Sequence, residues 1–273
     1  MPEGPEVKRV AQNLEEKLCN FSLGDLWHSG YKLRKPVDVN TLKSCSHKTV
    51  KKINCYGKIL FISDVNGVML KASLGMTGQL VVVKKNLQLA AHTHIRWQVN
   101  NSDYELRYVD IRRFGMIEAC DDKNYQQTIS KLGPDPFILN NESILILKNK
   151  ILRSKKSIKE ALMDQSIVVG VGNIYASEAL FKAKINPLIP ACSLSLDKIT
   201  LLIYTIKNTL EQALSKGGTT FSNYVDGNNS KGSNQDYLLV FKKENQPCSV
   251  CSNLISRIKQ AGRSTFFCTH CQS

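Results

Sequence analysis

The chain has 273 residues, 42% of them hydrophobic, and its 37 basic and 23 acidic residues give a formal net charge of +14. The hydrophobic content excludes general disorder, and the charge favours a polyanionic partner, above all nucleic acid. A basic surface that only keeps the protein dissolved is the alternative. Because no secretory core and no apolar run near the ~20 residues of a membrane helix is present, we expect a cytoplasmic protein with no membrane partner.

The first predicted element is an amphipathic helix. Pro5 suits a first helical turn, and apolar residues then recur at helical spacing, namely Val7, Val10, Ala11, Leu14 and Leu18. From about residue 22 to 120 the pattern changes to short β-rich runs separated by turn residues, with examples at 58–63, 67–73, 79–83, 94–99 and 104–109. This spacing predicts a β-sandwich or barrel.

The motif KLGPDPF at 131–137 marks a boundary, because two prolines and a glycine interrupt any regular element. Helical patterns follow at 141–151, 156–163, 173–183 and 196–215, the last ending at Gly217 and Gly218. The segment 225–236 is rich in glycine, asparagine and serine. We predict that it is too polar to pack and forms a long mobile loop, of the kind that often acts as a lid.

The most specific local signal is a set of four cysteines at the C-terminus. Cys248 and Cys251 are followed, after sixteen residues, by Cys268 and Cys271. Two C-x2-C pairs at this spacing supply four thiolates for one tetrahedral Zn²⁺, with a β-hairpin between them. All four positions are filled by protein, so the zinc is predicted to be structural and to replace a hydrophobic core in this short module. The other five cysteines are scattered, and no disulfide framework is expected.

Three further motifs have both a functional and a purely structural interpretation. In VVGVGNIYASEAL (168–180), Asn173 can cap a helix whose N-terminus cradles a phosphate, or the segment is simply a tight helical corner. In DIRRFG (110–115), the two arginines can bind phosphates or base edges, and the phenylalanine can insert into a base stack. The alternative is an exposed ion-pair cluster. In SLGMTGQL (73–80), Met76 lies in a predicted turn, and the alternative is that its side chain simply packs inside the protein.

The opening, MPEGPEV, has a chemical interpretation. Methionine before proline is typically removed, which would leave Pro2 with a terminal amine of pKa nearer 8 than the ~10.4 of lysine. Such an amine suits attack on C1′ of a deoxyribose, and the neighbouring Glu3 can shuttle protons. The alternative is an ordinary helix start, with Pro5 at its first position and Glu6 favoured by the helix dipole.

Together and in order, these motifs resemble the formamidopyrimidine-DNA glycosylase / endonuclease VIII family over nearly the whole chain. The matching stretches are PEGPEV, GKILF, LGMTG, DIRRFG, KLGPDPF, VVGVGNIYASEALF, GGTTFSNYV and the cysteine hairpin with GRSTFFC. The resemblance implies an α+β multidomain protein that holds duplex DNA between its two halves. Its parts would be a catalytic β-sandwich with a leading helix (1–133), a helix–two-turn–helix module with a lesion loop at 225–236 (134–237) and a zinc finger (238–273).

The resemblance also implies a catalytic set. Pro2 would be the nucleophile that forms a Schiff base, and Glu3 the acid/base group that assists sugar ring opening and elimination. Lys58 would contact the DNA at the lesion, and Arg263 would grip phosphate from the zinc finger.

A second set of residues is implied to bind DNA. Met76, Arg112 and Phe114 would fill the void left by an everted nucleotide, with Arg112 facing the orphaned base. The other candidates are Arg113 and Asn173 as phosphate contacts, His92 and Lys159 as further DNA contacts, and Glu6, whose role is the least defined.

The activity implied is that of a bifunctional DNA glycosylase and AP lyase, acting on oxidised bases or abasic sites in duplex DNA without a redox cofactor or catalytic metal. We expect such an enzyme to be a nucleoid-associated monomer. Gly4 and the stretch PEGPE look more like endonuclease VIII, and Ser73 stands where histidine is frequent. DIRRFG, KLGPDPF, GGTT and the 225–236 loop look like the formamidopyrimidine branch, so we favour oxidised purines as substrates. The alternatives are an endonuclease VIII-like enzyme for oxidised pyrimidines and a non-catalytic nucleic-acid-binding zinc protein.

Overall fold

The computed structural model describes residues 2–221, 226–227 and 230–273. The chain divides into two compact units, Met1–Ser130 with Lys216–Ser233 and Lys131–Ser215 with Asn234–Ser273. The break after Ser130 coincides with the boundary predicted at KLGPDPF. Residues 216–233 group with the N-terminal unit, whereas the sequence placed them in the helical module. The finer division into three domains stays a prediction.

The N-terminal unit is an antiparallel β-sandwich with a leading helix. Its helices are α1 (Gly4–Leu18), α2 (Val39–Lys43) and α3 (Asp122–Ile129), and its strands are β1 (Leu23–His28), β2 (Lys52–Tyr56), β3 (Ile59–Asp64), β4 (Gly67–Ser73), β5 (Gly78–Lys84), β6 (Thr93–Val99), β7 (Tyr104–Asp110) and β8 (Met116–Ala119). The two sheets have the strand orders β1-β6-β7-β5 and β2-β3-β4-β8. The predicted sandwich is confirmed, and the five runs named from the sequence correspond to β3 to β7.

Helix α1 is anchored in the core of the sandwich. The apolar residues predicted to face inward are all at most 3% exposed, namely Val7, Val10, Ala11, Leu14 and Leu18. They share one core with strand residues such as Leu60 and Trp97. The helix begins at Gly4, so Pro5 is its second residue and not its first, which is still a position where the missing N–H breaks no helical hydrogen bond.

The second unit is helical and ends in a β-hairpin. Its helices are α4 (Asn141–Arg153), α5 (Ile158–Met163), α6 (Asn173–Lys182) and α7 (Leu196–Ser215), and its strands are β9 (Ser256–Gln260) and β10 (Arg263–Phe267). Short 3-10 helices lie at Pro136–Ile138, Ala191–Ser193 and Asn234–Tyr237. The four predicted helices are confirmed. Gly217 and Gly218, which follow α7, have φ angles of +74° and +86°, the left-handed conformation expected after a helix end.

Glu178 organises the centre of this second unit. It lies on α6, which is buried from Ile174 to Phe181, and is itself 1% exposed. Its carboxylate accepts the backbone N–H groups of Leu239, Val240 and Phe241 at 2.8–2.9 Å. Three donors compensate a buried carboxylate well, so the segment leading to the hairpin is fixed to α6.

The segment 225–236 differs from its sequence-based prediction. Residues 225, 228 and 229 lie outside the described part of the chain, so the predicted mobility of the whole loop stays a prediction. Among the described residues, Asp226, Gly227 and Gly232 are buried, so the prediction that the segment is too polar to pack was wrong for them. Backbone and carboxylate atoms of Asp226 both bond to the backbone of Ser230, and a Cβ on Gly232 would lie 2.1 Å from the Gly218 carbonyl oxygen. Local hydrogen bonds and glycine contacts replace apolar packing here.

Candidate active site and metal centre

Pro2 and Glu3 lie at the start of α1, and both are buried. Glu3 is the N-cap of the helix, and its backbone N–H donates to Oε2 of Glu6 at 2.8 Å. Oε1 of Glu6 accepts the backbone N–H of Thr219 at 2.7 Å. Glu6 is 1% exposed, whereas a residue that contacts DNA has to lie on the surface. The two hydrogen bonds described here hold the first turn of α1 against residue 219.

Lys58 lies in the tight turn between β2 and β3. Tyr56 pairs with Ile59 across this turn, and Gly57 adopts a φ of +58°, which a side chain rarely tolerates. The side chain of Lys58 is half-buried. Two paired strands and a glycine turn thus fix the position of its backbone.

The residues predicted to fill the void lie on two neighbouring loops. Ser73 pairs with Met116, and Gly78 pairs with Asp110, so loops 74–77 and 111–115 leave the same edge of the sandwich side by side. Met76 is 40% exposed, so the alternative in which it packs inside is not what the structure shows.

The exposed side chains of Met76, Arg112 and Phe114 are called the insertion cluster below. Phe114 is 47% exposed, and the guanidinium carbon of Arg112 lies 4.7 Å from the centroid of its ring. Such a contact between a cation and an aromatic face is attractive. The structure therefore exposes the predicted trio on adjacent loops.

Arg113 and His92 border a pocket of about 640 Å³ that Tyr31 and His94 also line. The φ angles of Arg113 and His92 are +56° and +63°, in a region that non-glycine residues adopt mostly where the surroundings impose it. The guanidinium carbon of Arg113 lies 5.6 Å from the Tyr31 ring centroid. Both predicted DNA contacts are exposed.

In the helical unit, Asn173 and Lys159 converge on the backbone carbonyl of Ser264. Asn173 Nδ2 and Lys159 Nζ each donate to this oxygen at 3.0 Å, and Lys159 also donates to Oγ1 of Thr265 at 2.7 Å. Ser264 follows Arg263 on β10, and Arg263 itself is exposed. These bonds fix the hairpin to α5 and to the start of α6, with Arg263 presented next to the attachment point.

The placement of Asn173 and Lys159 corrects two expectations. The N-cap of α6 is Gly172 and not Asn173, because the Asn173 side chain bonds to Ser264 instead of to its own helix. Lys159 is 2% exposed, so its ammonium is held inside the protein and does not lie on a surface that DNA can reach.

The four C-terminal cysteines form a cluster with metal-binding geometry. Their Sγ atoms all lie within 4.8 Å of one another, with 3.9 Å between Cys248 and Cys271 and 3.5 Å between Cys251 and Cys268. Zn–S bonds of ~2.3 Å in a tetrahedron place sulfurs about 3.8 Å apart, so the donor set fits Zn²⁺.

The cluster has the chemistry that Zn²⁺ requires of its ligands. A dication stabilises the thiolate form of the sulfurs that bind it, and four cysteine thiolates are a common structural zinc site. The hairpin of β9 and β10 lies between the two cysteine pairs, as predicted.

Comparison with known proteins matches most of the chain to family models. Residues 1–117 match the formamidopyrimidine-DNA glycosylase N-terminal domain, residues 132–225 match its H2TH domain, and residues 245–273 match the zinc finger found in FPG and IleRS. The formamidopyrimidine-DNA glycosylase of Legionella pneumophila (strain Lens) is 36% identical over 273 residues, which cover all of this chain and 98% of that protein. The chain belongs to the formamidopyrimidine-DNA glycosylase family. It is a DNA glycosylase of base-excision repair with one structural zinc.

Solved structures of this glycosylase family support the same assignment. A mutant of Lactococcus lactis FPG in complex with Fapy-dG-containing DNA has a TM-score of 0.89 at 31% identity, covering 99% of both chains. The L. lactis protein with abasic-site DNA has a TM-score of 0.88 at 30% identity, with the same coverage. The predicted fold class and the formamidopyrimidine branch are confirmed, and the non-catalytic alternative is set aside.

Three residues that the sequence did not single out organise these sites in the glycosylase. Glu178 holds residues 239–241, as described above. Asp110 and Thr77 lie within motifs that we interpreted through their arginines, aromatic and methionine, yet they bond to each other at 2.6 Å. From the sequence, an acidic residue beside two arginines suggests an exposed ion pair. The structure shows a different role, because Asp110 is 0% exposed.

Proposed function

We propose that the glycosylase excises oxidised purines from duplex DNA with the terminal amine of Pro2 as nucleophile, and then cleaves the strand as an AP lyase. The observation that carries this proposal is the pairing of Pro2 with a buried Glu3, whose backbone is fixed by Glu6 at the start of a helix rooted in the sandwich core. The full-length similarity to named formamidopyrimidine-DNA glycosylases supports it.

The reaction begins on the sugar. The lone pair of the Pro2 amine attacks C1′, the N-glycosidic bond breaks, and the base leaves with the bonding electrons and gains a proton. A terminal amine is more often neutral near pH 7 than a lysine amine, which makes it the better nucleophile. Sugar ring opening gives an iminium, from which successive β- and δ-elimination break the bonds to the 3′ and 5′ phosphates.

Glu3 is assigned proton transfer in these steps, because it adjoins Pro2 in the chain and is held in place. Glu6 is assigned a positioning role instead of a DNA contact. Both of its oxygens accept backbone N–H groups, so it orients Glu3 without touching the substrate.

DNA binding is assigned mainly to exposed groups on rigid supports. The insertion cluster would fill the void in the stack, which offsets part of the few kcal/mol that eversion costs. Lys58 and Arg113 on the sandwich and Arg263 on the hairpin would bind phosphates, with His92 as a further contact. In the helical unit, the N-terminus of α6 beside Asn173 suits a phosphate, since helix N-termini attract anions. We assign Lys159 to holding the hairpin. The place of action would be the nucleoid in the cytoplasm.

Substitution Glu3→Gln tests the proposal. Excision of 8-oxoguanine in a single turnover is expected to fall by roughly 10²–10⁴-fold, the usual range for loss of a general acid/base. Binding to the lesion duplex, measured by fluorescence anisotropy, should stay within about threefold, because the first turn of α1 keeps its backbone bonds. Glu16→Gln, an exposed change on the same helix, is the matched control. Loss of binding in Glu3→Gln alone would show that Glu3 is structural.

The lesion preference is tested with single-lesion duplexes. We expect 8-oxoguanine and formamidopyrimidines to be excised faster than thymine glycol. One L. lactis FPG structure contains an oxidised pyrimidine, which keeps pyrimidines in the panel as the second candidate substrate. Preferred excision of thymine glycol would replace the purine assignment.

A further inference from the structure

Asp110, at the end of β7, joins the two loops that carry the insertion cluster. It is 0% exposed. Its Oδ1 accepts the hydroxyl of Thr77 at 2.6 Å, and its Oδ2 accepts the backbone N–H of Gly115 at 2.8 Å. Thr77 belongs to the loop with Met76, and Gly115 to the loop with Arg112 and Phe114. One buried carboxylate therefore bonds to both loops, and hydrogen bonds to a carboxylate are stronger than neutral ones.

Thr77 extends this connection to Arg112. Its Oγ1 donates to Asp110 and accepts the backbone N–H of Arg112 at 3.0 Å. Because a hydroxyl has only one proton to donate, the Thr77 proton goes to Asp110 and the oxygen lone pairs remain for the Arg112 N–H. The residue next to Met76 thus fixes the backbone of Arg112 directly.

The two loops also touch through their backbones. Gly75 has a φ of +56°, and a Cβ placed on it would lie 2.6 Å from the carbonyl carbon of Phe114. Only glycine permits this approach, so no side chain separates the loops.

Asp110 reaches the neighbouring loop as well. Its backbone N–H donates to the carbonyl oxygen of His92 at 3.0 Å, and its own carbonyl oxygen lies 2.9 Å from Nε2 of His94. Three loops at one edge of the sandwich are thus tied to a single residue that is not exposed to DNA.

From these contacts we infer that Asp110 and Thr77 are positioning residues that hold Met76, Arg112 and Phe114 as one preformed wedge. The inference rests on the proposed role of the insertion cluster in filling the void. A wedge whose backbone is ordered before DNA arrives loses less conformational entropy on insertion, so more of its contact energy is available to offset unstacking. Thr77 and Asp110 would therefore matter most when the lesion is paired and eversion is costly.

The test compares Thr77→Val, which keeps the shape and loses the hydroxyl, with Thr77→Ser, which keeps the hydroxyl. Single-turnover excision is measured on 8-oxoguanine paired with cytosine and on the same lesion opposite an abasic site, where eversion costs less. Thr77→Val should lose about tenfold on the paired duplex and less than about threefold on the unpaired one, a split that a general loss of folding does not produce. Thr77→Ser should behave as the parent protein. Thr77→Ala, compared at equal folded fraction by thermal unfolding, replaces Thr77→Val if that variant is unstable.

Phe114→Ala separates this inference from the function on which it rests. If Phe114→Ala shows the split between duplexes and Thr77→Val does not, the cluster acts in eversion but needs no support from Thr77, and the inference is wrong. If Phe114→Ala shows no split, the insertion role itself is wrong and the inference is lost with it. Equal losses of Thr77→Val on both duplexes would also overturn it, since that pattern indicates damage unrelated to eversion.

Discussion

The edge of the sandwich and the zinc hairpin both present exposed arginines on a rigid support, but they achieve rigidity differently. Arg112 lies on a loop fixed by Asp110 and Thr77 beside a hydrophobic core that includes α1 and strands of both sheets. Arg263 lies on a two-stranded hairpin whose local core is small, and which depends on four cysteines and on bonds to the Ser264 carbonyl. Both regions keep their DNA-binding groups in fixed positions. Buried hydrogen bonds do this where a hydrophobic core exists, and a metal does it where the core is too small.

The largest expected effect comes from removing the metal. Cys268→Ser should release zinc and lower DNA affinity by more than about 100-fold, since a module without a sufficient core depends on its metal to fold. Both tryptophans, Trp27 and Trp97, lie in the N-terminal unit, so their fluorescence should stay that of the parent protein. Zinc content and anisotropy provide the measurement, with the exposed Cys192→Ser as control. Normal DNA binding by the zinc-free variant would show that the hairpin is dispensable.

A smaller effect is expected from Lys159→Met, which removes the bonds to Ser264 and Thr265 and keeps the length of the side chain. Zinc should remain bound while DNA affinity falls about tenfold, because the hairpin loses a buried attachment. The slope of log affinity against log salt should not change, since a buried ammonium neutralises no phosphate. The control is Lys155→Met, which removes the same charge from an exposed position. A lower slope for Lys159→Met alone would restore its predicted role as a DNA contact.

The smallest effect is expected from Arg263→Gln, which removes one exposed charge and leaves the hairpin intact. Loss of one phosphate contact lowers the salt slope by about 0.9 and weakens binding uniformly across sequences. Arg257→Gln provides the matched control, because Arg257 lies on the same hairpin, is exposed and pairs with Glu244 at 3.1 Å. Equal slopes for the two variants would mean that Arg263 adds charge to the surface without gripping a phosphate.

Much of this organisation could be predicted from the sequence, and the reasons are local. The spacing of Val7, Val10 and Leu14 follows helical periodicity, and each cysteine pair lies within one knuckle. The exposed trio of Met76, Arg112 and Phe114 was found because its motifs matched in order. The helix and cysteine signals are each contained in a few neighbouring residues, whereas the trio depended on a resemblance carried by nearly the whole chain.

The supporting residues could not be predicted, because their partners are far away in the chain. Asp110 bonds to a loop 33 residues away, and Lys159 to a carbonyl 105 residues away. A lysine in a basic protein predicts a surface charge, and only tertiary packing shows that Lys159 is buried. Helix α3 was missed for a related reason, since it has no buried residue and therefore no apolar periodicity.

Trapping the covalent intermediate shows whether the Pro2 amine forms it. Active protein is turned over on an 8-oxoguanine:cytosine duplex with sodium borohydride, digested, and mapped by mass spectrometry. We expect a reduced adduct on the amine of Pro2, with Met1 absent. An adduct on another residue, such as Lys58, or full activity in protein that retains Met1, would contradict it.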